Sequence, residues 1–409
     1  MNASLKHLKV NKDDIPVYLL GITTSFLLLG YAYSSIALGA FITYTFFFYF
    51  KNLKKPTFTL QLFLPVLLYL YLASTYFWSM DKALTLTGAF RLLSLLLVPI
   101  AFSIMPKISV RQLKIILKFF TTANVVLAVF FIVSASIRYF ETKDIQQFTY
   151  HNLVQDLDLN AVYVSAYFAL SFFYVISGRQ KKIMHLFLAL FLLVMILLLS
   201  SKTIIFITIT GIVVYLMKFI KNPVSFFKKK WSIILLGLLA VFILSKPIIN
   251  RIIAESKTNI EEVVNNEKFN KVYPWTGTSF RMLQLRILKE QIREERIFFS
   301  GFGLFASRDN LKERHIALNT YPGYHTYNYH NLYAQVLAES GVIGLLLLLT
   351  LISFLLYKAS KTKSFIFFMF GILMTIWFFS ESVLWVQRGV LFFIIFYCAF
   401  VNAGFKELK

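Results

Sequence analysis

His330 and Arg281 are the two side chains from which chemistry is most readily built. His330 precedes Asn331 at the start of a long apolar run. An imidazole exchanges a proton near neutral pH, so at the mouth of a membrane helix it could serve a hydroxyl group as a base or an orienting donor. The plainer alternative is an interfacial histidine that caps or snorkels. Arg281 opens a polar helix that Thr278 or Ser279 would cap and that runs to about Arg296, with Leu285, Leu288 and Ile292 as its apolar face. A cation in a first helical turn opposes the helix dipole. An anionic ligand would favour it there, because exposed N–H groups and a guanidinium fork both suit phosphate oxygens. The charges that follow, Arg286, Lys289, Arg293 and Arg296 interleaved with Glu290, Glu294 and Glu295, read as a solvated, salt-bridged face.

Four further ionisable residues fall inside or beside apolar runs. Arg91 lies within one of them, where a cation costs about 2.5–3.5 kcal/mol at the bilayer centre and is either functional or structurally paired. Lys202, in Ser200-Ser201-Lys202-Thr203, occupies a tight turn between two apolar runs and is either a solvated turn lysine or a second cation for the same anion. Glu381 and Arg388 are spaced two turns apart along one helical face and read as a structural ion pair. His315, His325 and His330 match no metal-ligand spacing. Cys398, the one cysteine, permits neither an internal disulfide nor a cysteine metal site.

The elements that must position these residues are membrane helices. Of 409 residues 58% are hydrophobic, against roughly 45–50% in soluble domains. Apolar runs of about 18–25 residues are long enough to cross a hydrocarbon core of roughly 30 Å. They fall at about 15–32, 34–50, 58–77, 83–104, 112–137, 160–177, 183–200, 203–220, 231–248, 332–356, 364–380 and 383–402. No small-residue cleavage pattern follows the first run, so it is expected to stay in the membrane. The fold class is therefore all-α: a polytopic membrane protein of about twelve helices. Helices one to nine lie in 1–248, a large loop containing short helices in 249–331, and helices ten to twelve in 332–409.

Charge sets the orientation. Lys and Arg total 42 against 19 Asp and Glu, a formal charge of +23. The basic clusters occur at every second connection: Lys6, Lys9 and Lys12; Lys51, Lys54 and Lys55; Lys107, Arg111 and Lys114; Arg179, Lys181 and Lys182; Lys218, Lys221 and Lys228 to Lys230; and Lys358, Lys361 and Lys363. The positive-inside rule makes that side, and both termini, cytoplasmic. Most of the excess charge is thus topogenic, and nucleic-acid binding is unnecessary to explain it. The outer side receives two long loops, about 138–159 and 249–331; loops of that length translocate whatever their charge and are usually functional. Tyrosine and histidine crowd the stretch from Tyr321 to Tyr333. With Arg281, His330, Lys202 and Arg91 all towards one side, the arrangement suits a lipid-linked diphosphate whose charge would be neutralised as it leaves.

Several segments together resemble the O-antigen ligase and polymerase superfamily. His330-Asn331 followed by Glu339, Gly341 and Gly344 is similar to the family's His-Asn signature at the end of its large loop. Arg281 with its helix and Gly301-Phe302-Gly303 resembles the family's Arg-helix-Gly-x-Gly element. Ser200-Ser201-Lys202 resembles a Ser-Arg turn with lysine in place of arginine, and Leu159-Asn160-Ala161-Val162-Tyr163 a stretch where some relatives have His-Pro before the tyrosine. Glu381-Ser382 with Gln387-Arg388-Gly389 resembles the final helix of relatives. The resemblance covers about 150–400. It implies a metal-independent glycosyltransferase, without cofactor, in the inner membrane. The donor would be a glycan on undecaprenyl diphosphate. The acceptor would be lipid A-core for a ligase or a second lipid-linked glycan for a polymerase. His330 would activate the acceptor and Arg281 would bind the diphosphate, with Lys202 and Arg91 as further diphosphate-side candidates and Asn331, Glu339, Glu381 and Arg388 in support.

Two other classes compete. A polysaccharide transporter or flippase would suit twelve spans, but paired halves and midplane-broken helices are not evident. A non-catalytic scaffold would bind a partner through its large loop. The orientation can be checked directly. In a Cys398→Ala background, Lys271→Cys should react with a membrane-impermeant thiol reagent applied from outside the inner membrane. Labelling only from the cytoplasmic side would invert the assignment.

Overall fold

The computed structural model describes residues 14–50, 59–178, 183–219, 253 and 259–405. Those residues form helices and connections, with no β-strand among them. In chain order the helices are α1 (Ile15–Ser25), α2 (Tyr31–Phe50), α3 (Leu60–Ser74), α4 (Lys82–Arg91), α5 (Ser94–Ile104), α6 (Val110–Thr142) and α7 (Tyr150–Leu153). They continue as α8 (Ala161–Ser177), α9 (Ile183–Leu198), α10 (Lys202–Phe219), α11 (Ile260–Asn265), α12 (Gly277–Glu294), α13 (Ser307–Ala317), α14 (Leu332–Ser360), α15 (Phe365–Ser380) and α16 (Gln387–Asn402). Among the described residues, five stretches are long and apolar enough to cross a membrane: Tyr31–Tyr49, Leu60–Phe77, Lys82–Ile104, Val110–Thr142 and Leu332–Ser360. Shorter apolar helices run over Ile15–Ser25, Ala161–Ser177, Ile183–Leu198, Phe365–Ser380 and Gln387–Asn402. The apolar run at 231–248 lies outside the described residues, as do the basic clusters at Lys6 to Lys12, Lys51 to Lys55, Arg179 to Lys182 and Lys221 to Lys230.

Among the described residues, the expected spans at 83–104, 383–402 and 332–356 are each interrupted, and the run at 15–32 is helical only to Ser25 before α2 starts at Tyr31. The membrane-length stretch Lys82–Ile104 contains Arg91 and turns at Leu92 and Leu93, so that Arg91 is the last residue of α4. A cation there is favoured by the carbonyl end of the helix dipole. The run at 383–402 becomes a helix only from Gln387, because Glu381 to Val386 cross the end of the bundle through a single 3-10 turn at Val383–Trp385. The helix α14 is broken at Gly341, whose φ of 68° and ψ of −170° are non-helical.

The break at Gly341 is where the large loop is attached. Val342 N–H donates to the Phe298 carbonyl at 2.7 Å, Phe302 N–H to Ala338 at 2.8 Å and Gly303 N–H to Glu339 at 2.8 Å. On its other side the same segment meets the α3–α4 connection: Met80 N–H donates to Phe302 at 2.9 Å, and the Trp78 indole N–H to Ser300 at 2.8 Å. Two chain segments this close leave no room for a Cβ. One built on Gly303 would stand 2.2 Å from the Ser79 hydroxyl oxygen. That explains Gly301-Phe302-Gly303 physically: close backbone approach at positive φ, where glycine carries no steric penalty.

The loop is a small folded unit with its own core. Phe269, Leu283, Ile287, Phe302, Leu311 and Tyr329 pack together there. The first half of α14 joins two cores: Ala334 and Ala338 face the loop's core, while Leu332 and Val336 belong to the membrane bundle. The longest helix of the loop, α12, starts earlier than the expected cap at Thr278 or Ser279. Thr276 is the cap, in a reciprocal pair with Ser279. The buried face runs through Phe280, Leu283, Ile287 and Leu288, with Leu285 left 41% exposed. Nor is its charge all solvated. Arg286 donates to the Val263 and Asn266 carbonyls at 3.1 and 2.7 Å, and Glu294 and Glu295 both bind Arg314 of α13.

Gly341→Ala would place a Cβ 2.1 Å from the Phe299 carbonyl oxygen, and Gly301→Ala one 2.3 Å from the Glu339 carbonyl carbon. A left-handed backbone at a non-glycine residue adds about 1–3 kcal/mol of strain. Both variants should melt well below wild type in detergent, whereas Gly39→Ala, whose Cβ would meet nothing within 4 Å, should not. A wild-type melting temperature for Gly341→Ala would contradict this account of the break. The loop core supplies a second expectation. His315 is fully buried between Gln284 at 3.0 Å and Thr320 at 3.1 Å, and burial, with His325 nearby, pushes its imidazole from 6.5 down to about 4. The folded ring stays neutral where an unfolded chain already binds a proton. Stability is therefore complete above about pH 6.5 and is lost as pH falls towards 4, by at most about 1.4 kcal/mol per unit. Thermal melts across that range should show the loss, and His315→Gln should flatten it.

Candidate active site

The site forms where three elements meet: the start of α12, the loop end before α14 and the crossover that follows α15. At its centre is Glu381, whose side chain is 8% exposed. A carboxylate that deep is costly unless it is paired, and each of its oxygens has a partner. Oε1 accepts from Arg281 Nη2 at 3.3 Å, and Oε2 faces His330 Nδ1 at 3.3 Å. Arg281 is bound more tightly to the end of α15: its Nε and Nη2 donate to the Ser380 carbonyl at 3.0 and 2.7 Å, and Nη1 donates back to Gly277 at 2.9 Å. The last carbonyls of a helix lack intrahelical donors and carry its negative end, so α15 supplies the counter-charge.

This corrects two expectations. Arg281 lies beyond the first turn of α12, since that helix begins at Gly277. Its guanidinium is held by Ser380, Glu381 and the Gly277 carbonyl, so no external anion is required to explain it. Glu381, for its part, pairs with Arg281 and His330 instead of Arg388. Glu381 and Arg388 are not on one helical face, because the helix stops at Ser380 and resumes at Gln387.

His330 adopts a positive φ of 47°, and its N–H donates to the Asn328 side chain at 2.8 Å. Asparagine-anchored turns of this kind tolerate left-handed backbone. Its ring contacts Tyr327 and Phe280 edge-on at 5.2 and 6.0 Å. With Nδ1 turned to the carboxylate, the Nε2 side is left for other work. A proton on Nδ1 would be fixed by Glu381, leaving the Nε2 lone pair as an acceptor.

The remaining candidates divide. Asn331 caps α14, accepting from Ala334 N–H at 3.1 Å. Glu339, 2% exposed, accepts from Trp385 Nε1 at 2.8 Å, Gln335 Nε2 at 2.6 Å and the Ser307 hydroxyl at 3.4 Å, tying α14, the loop and the crossover together. Asn331 adjoins His330 in the chain, and Glu339 lies two helical turns further along α14. Arg91 reaches the crossover from another side, donating to the Trp385 carbonyl at 3.2 Å with its guanidinium over the Phe305 ring at 4.9 Å. Arg388 lies over the Tyr31 ring at 4.5 Å and lines a cavity of about 200 Å³ with Asp158, Asn160 and Tyr163. Lys202 begins α10, two residues after the left-handed Ser200, and α10 packs against α15 and α8. Asn160 caps α8 through Val162 N–H at 2.8 Å. His315 and His325 stack 6.4 Å apart in the loop core, away from the Glu381 partner of His330; among the described residues no three His, Cys, Asp or Glu side chains gather as metal ligands. The Ser380 carbonyl has no counterpart among the sequence-based candidates, since a backbone acceptor leaves no signal in residue type.

Residues 186–349 match the family model described as O-antigen ligase. None of the curated proteins matches the chain. The matched stretch runs from α9 through the loop into α14 and holds Lys202, Arg281, His330, Asn331 and Glu339, while Glu381 and Arg388 follow it. Over that stretch, which holds the Arg281 helix and the His330-Asn331 turn, this multi-pass membrane protein is similar to the O-antigen ligase family.

Proposed function

We propose that the protein transfers a glycan from undecaprenyl diphosphate to an acceptor hydroxyl at the outer face of the inner membrane, as an O-antigen ligase does. One observation carries the reading: Glu381 holds Arg281 on one oxygen and His330 Nδ1 on the other, leaving His330 Nε2 as a proton acceptor beside a cation. In the reaction the acceptor hydroxyl gives its proton to His330 Nε2 as its oxygen forms a bond to the anomeric carbon. The bond from that carbon to the diphosphate oxygen breaks, and the electron pair leaves with the diphosphate. The proton then passes from His330 to the departing diphosphate or to water.

Glu381 steadies the imidazolium that forms in between. Arg281 meets the growing negative charge through its net charge and the second N–H on Nη1, beyond the one given to Gly277. Lys202 and Arg91 are the further cations, so the leaving group is stabilised without a metal or cofactor. Arg388, Asn331 and Glu339 act in support, Asn331 and Glu339 by holding the elements that carry the dyad. The loop faces away from the cytosol, and both termini are cytoplasmic. Lipid A-core is the acceptor in this reading; a second lipid-linked glycan would make the same chemistry a polymerisation.

His330→Ala should reduce surface polysaccharide by at least about a hundredfold, the usual worth of a general base, with normal protein level in the membrane. Wild-type polysaccharide from that variant would sink the assignment. Glu381→Gln keeps a hydrogen-bond partner for His330 and Arg281 but removes the carboxylate charge that pairs with both. The maximal rate should therefore fall, with normal protein level in the membrane. Deleting the gene separates the two acceptors on a polysaccharide gel: unligated full-length chains mark a ligase, single-repeat products a polymerase.

A further inference from the structure

The tyrosine-rich stretch before His330 has no role in the proton and charge steps above. Tyr321, Tyr324, Tyr327 and His330 follow one another at three-residue intervals, and each ring meets the next, with centroids 5.6, 5.4 and 5.2 Å apart. The spacing comes from consecutive tight turns: Tyr324 N–H donates to Tyr321 at 2.9 Å and Tyr327 N–H to Tyr324 at 3.0 Å. Such turns bring side chains at i and i+3 into line. The row is backed from below by Phe280, the neighbour of Arg281, whose ring lies 4.7 Å from Tyr324, 5.6 Å from Tyr327 and 6.0 Å from His330. On the outer side Tyr321 is 53% and Tyr327 41% exposed. An exposed row of rings locked by its own packing is pre-organised, so a ligand that stacks on it orders little in the protein.

We propose that Tyr321, Tyr324 and Tyr327 form a stacking ledge that binds sugar rings of the acceptor glycan and leads the acceptor hydroxyl to His330. The inference rests on the glycan-transfer reading and names the acceptor side of that site. Two features select the occupant. The stretch 319–330 contains no charged and no aliphatic residue, only Asn, Thr, Tyr, Pro, Gly and His, although the helix before it, α13, is rich in charge. A neutral surface of rings, hydroxyls and amides matches the apolar faces and hydroxyl edges of a sugar, and offers nothing to neutralise a diphosphate. The row also ends on the imidazole, the group that takes the acceptor's proton, and not on the cation that meets the leaving group.

The test uses the full chain in detergent, with donor and acceptor glycolipids both prepared from cells lacking the gene. Tyr321→Ala with Tyr327→Ala should raise the acceptor KM roughly tenfold, the worth of one or two aromatic contacts, and leave kcat and the donor KM within about threefold. Tyr327→Phe and Tyr327→Trp should keep the wild-type acceptor KM, because the ring remains, whereas Tyr327→Leu should not. In saturation-transfer NMR with the delipidated acceptor glycan as probe, irradiating aromatic protons should reach sugar C–H protons in wild type and in His330→Ala, and not in the double alanine variant. Leucine performing as well as phenylalanine would overturn the ledge, as would a rise confined to the donor KM or an NMR transfer unchanged in the double variant. Failure of the transfer reading has a different signature: polysaccharide persisting in His330→Ala. The binding arm decides the ledge in either case.

Discussion

A buried carboxylate at the end of a helix organises the site. Glu381 follows the last residue of α15 and is nearly sealed from solvent, so its charge has to be met within the protein. Arg281 and His330 meet it, one on each oxygen. Both arrive from the large loop, Arg281 on α12 and His330 on the segment before α14. One interaction therefore does two things: it pins the loop to the membrane bundle, and it sets the imidazole so that one nitrogen is occupied and the other is left. The carbonyl end of α15 shares the work through Ser380, which takes two of the guanidinium's donors. A cation at that end is stabilised by the helix itself.

That arrangement depends on the loop being held in register, and glycine is what allows it. The segment from Phe298 to Gly303 runs between the broken helix α14 and the α3–α4 connection with backbone hydrogen bonds to both. Any Cβ at Gly301, Gly303 or Gly341 would occupy space already filled by backbone or by Ser79. The break at Gly341 frees backbone groups that a continuous helix would have used, and the loop supplies their partners. Glu339 reinforces the seam from inside, drawing donors from Trp385, Gln335 and Ser307. Two glutamates thus divide the labour. Glu339 binds the scaffold together, and Glu381 binds the groups suited to chemistry.

Around this centre the chain grades from charge to neutrality. Arg281, Lys202 and Arg91 lie on elements that converge on the crossover or α15, whereas the run from Asn319 to His330 carries no charge. The proposed transfer separates a diphosphate from a sugar, two unlike partners that two such kinds of surface would suit. His330 stands at the boundary, with the carboxylate on one side and the Tyr327 and Phe280 rings on the other.

Much of this is legible in the amino-acid sequence. Apolar runs of membrane length, the basic clusters, the His330-Asn331 turn, Arg281 and the paired glycines are local properties of residue type and spacing, and local properties survive in a one-dimensional string. The all-α membrane class and the choice of His330 and Arg281 as candidates follow from them. The partnerships do not. Helical periodicity continues across 381–388 and so pairs Glu381 with Arg388, because nothing in the residue types announces that the helix stops at Ser380. Arg281 reads as a first-turn cation in need of an outside anion, because its actual acceptors are a backbone carbonyl and a carboxylate about a hundred residues away. Arg91 reads as lying inside an unbroken helix, whereas the chain turns at Leu92 and Leu93 directly after it. Residue type and spacing are enough to say which groups the protein carries and in what medium they sit. Which charge faces which is a property of the packed bundle, because pairing at such separation depends on where helices end and cross, and packing, not periodicity, chooses those ends.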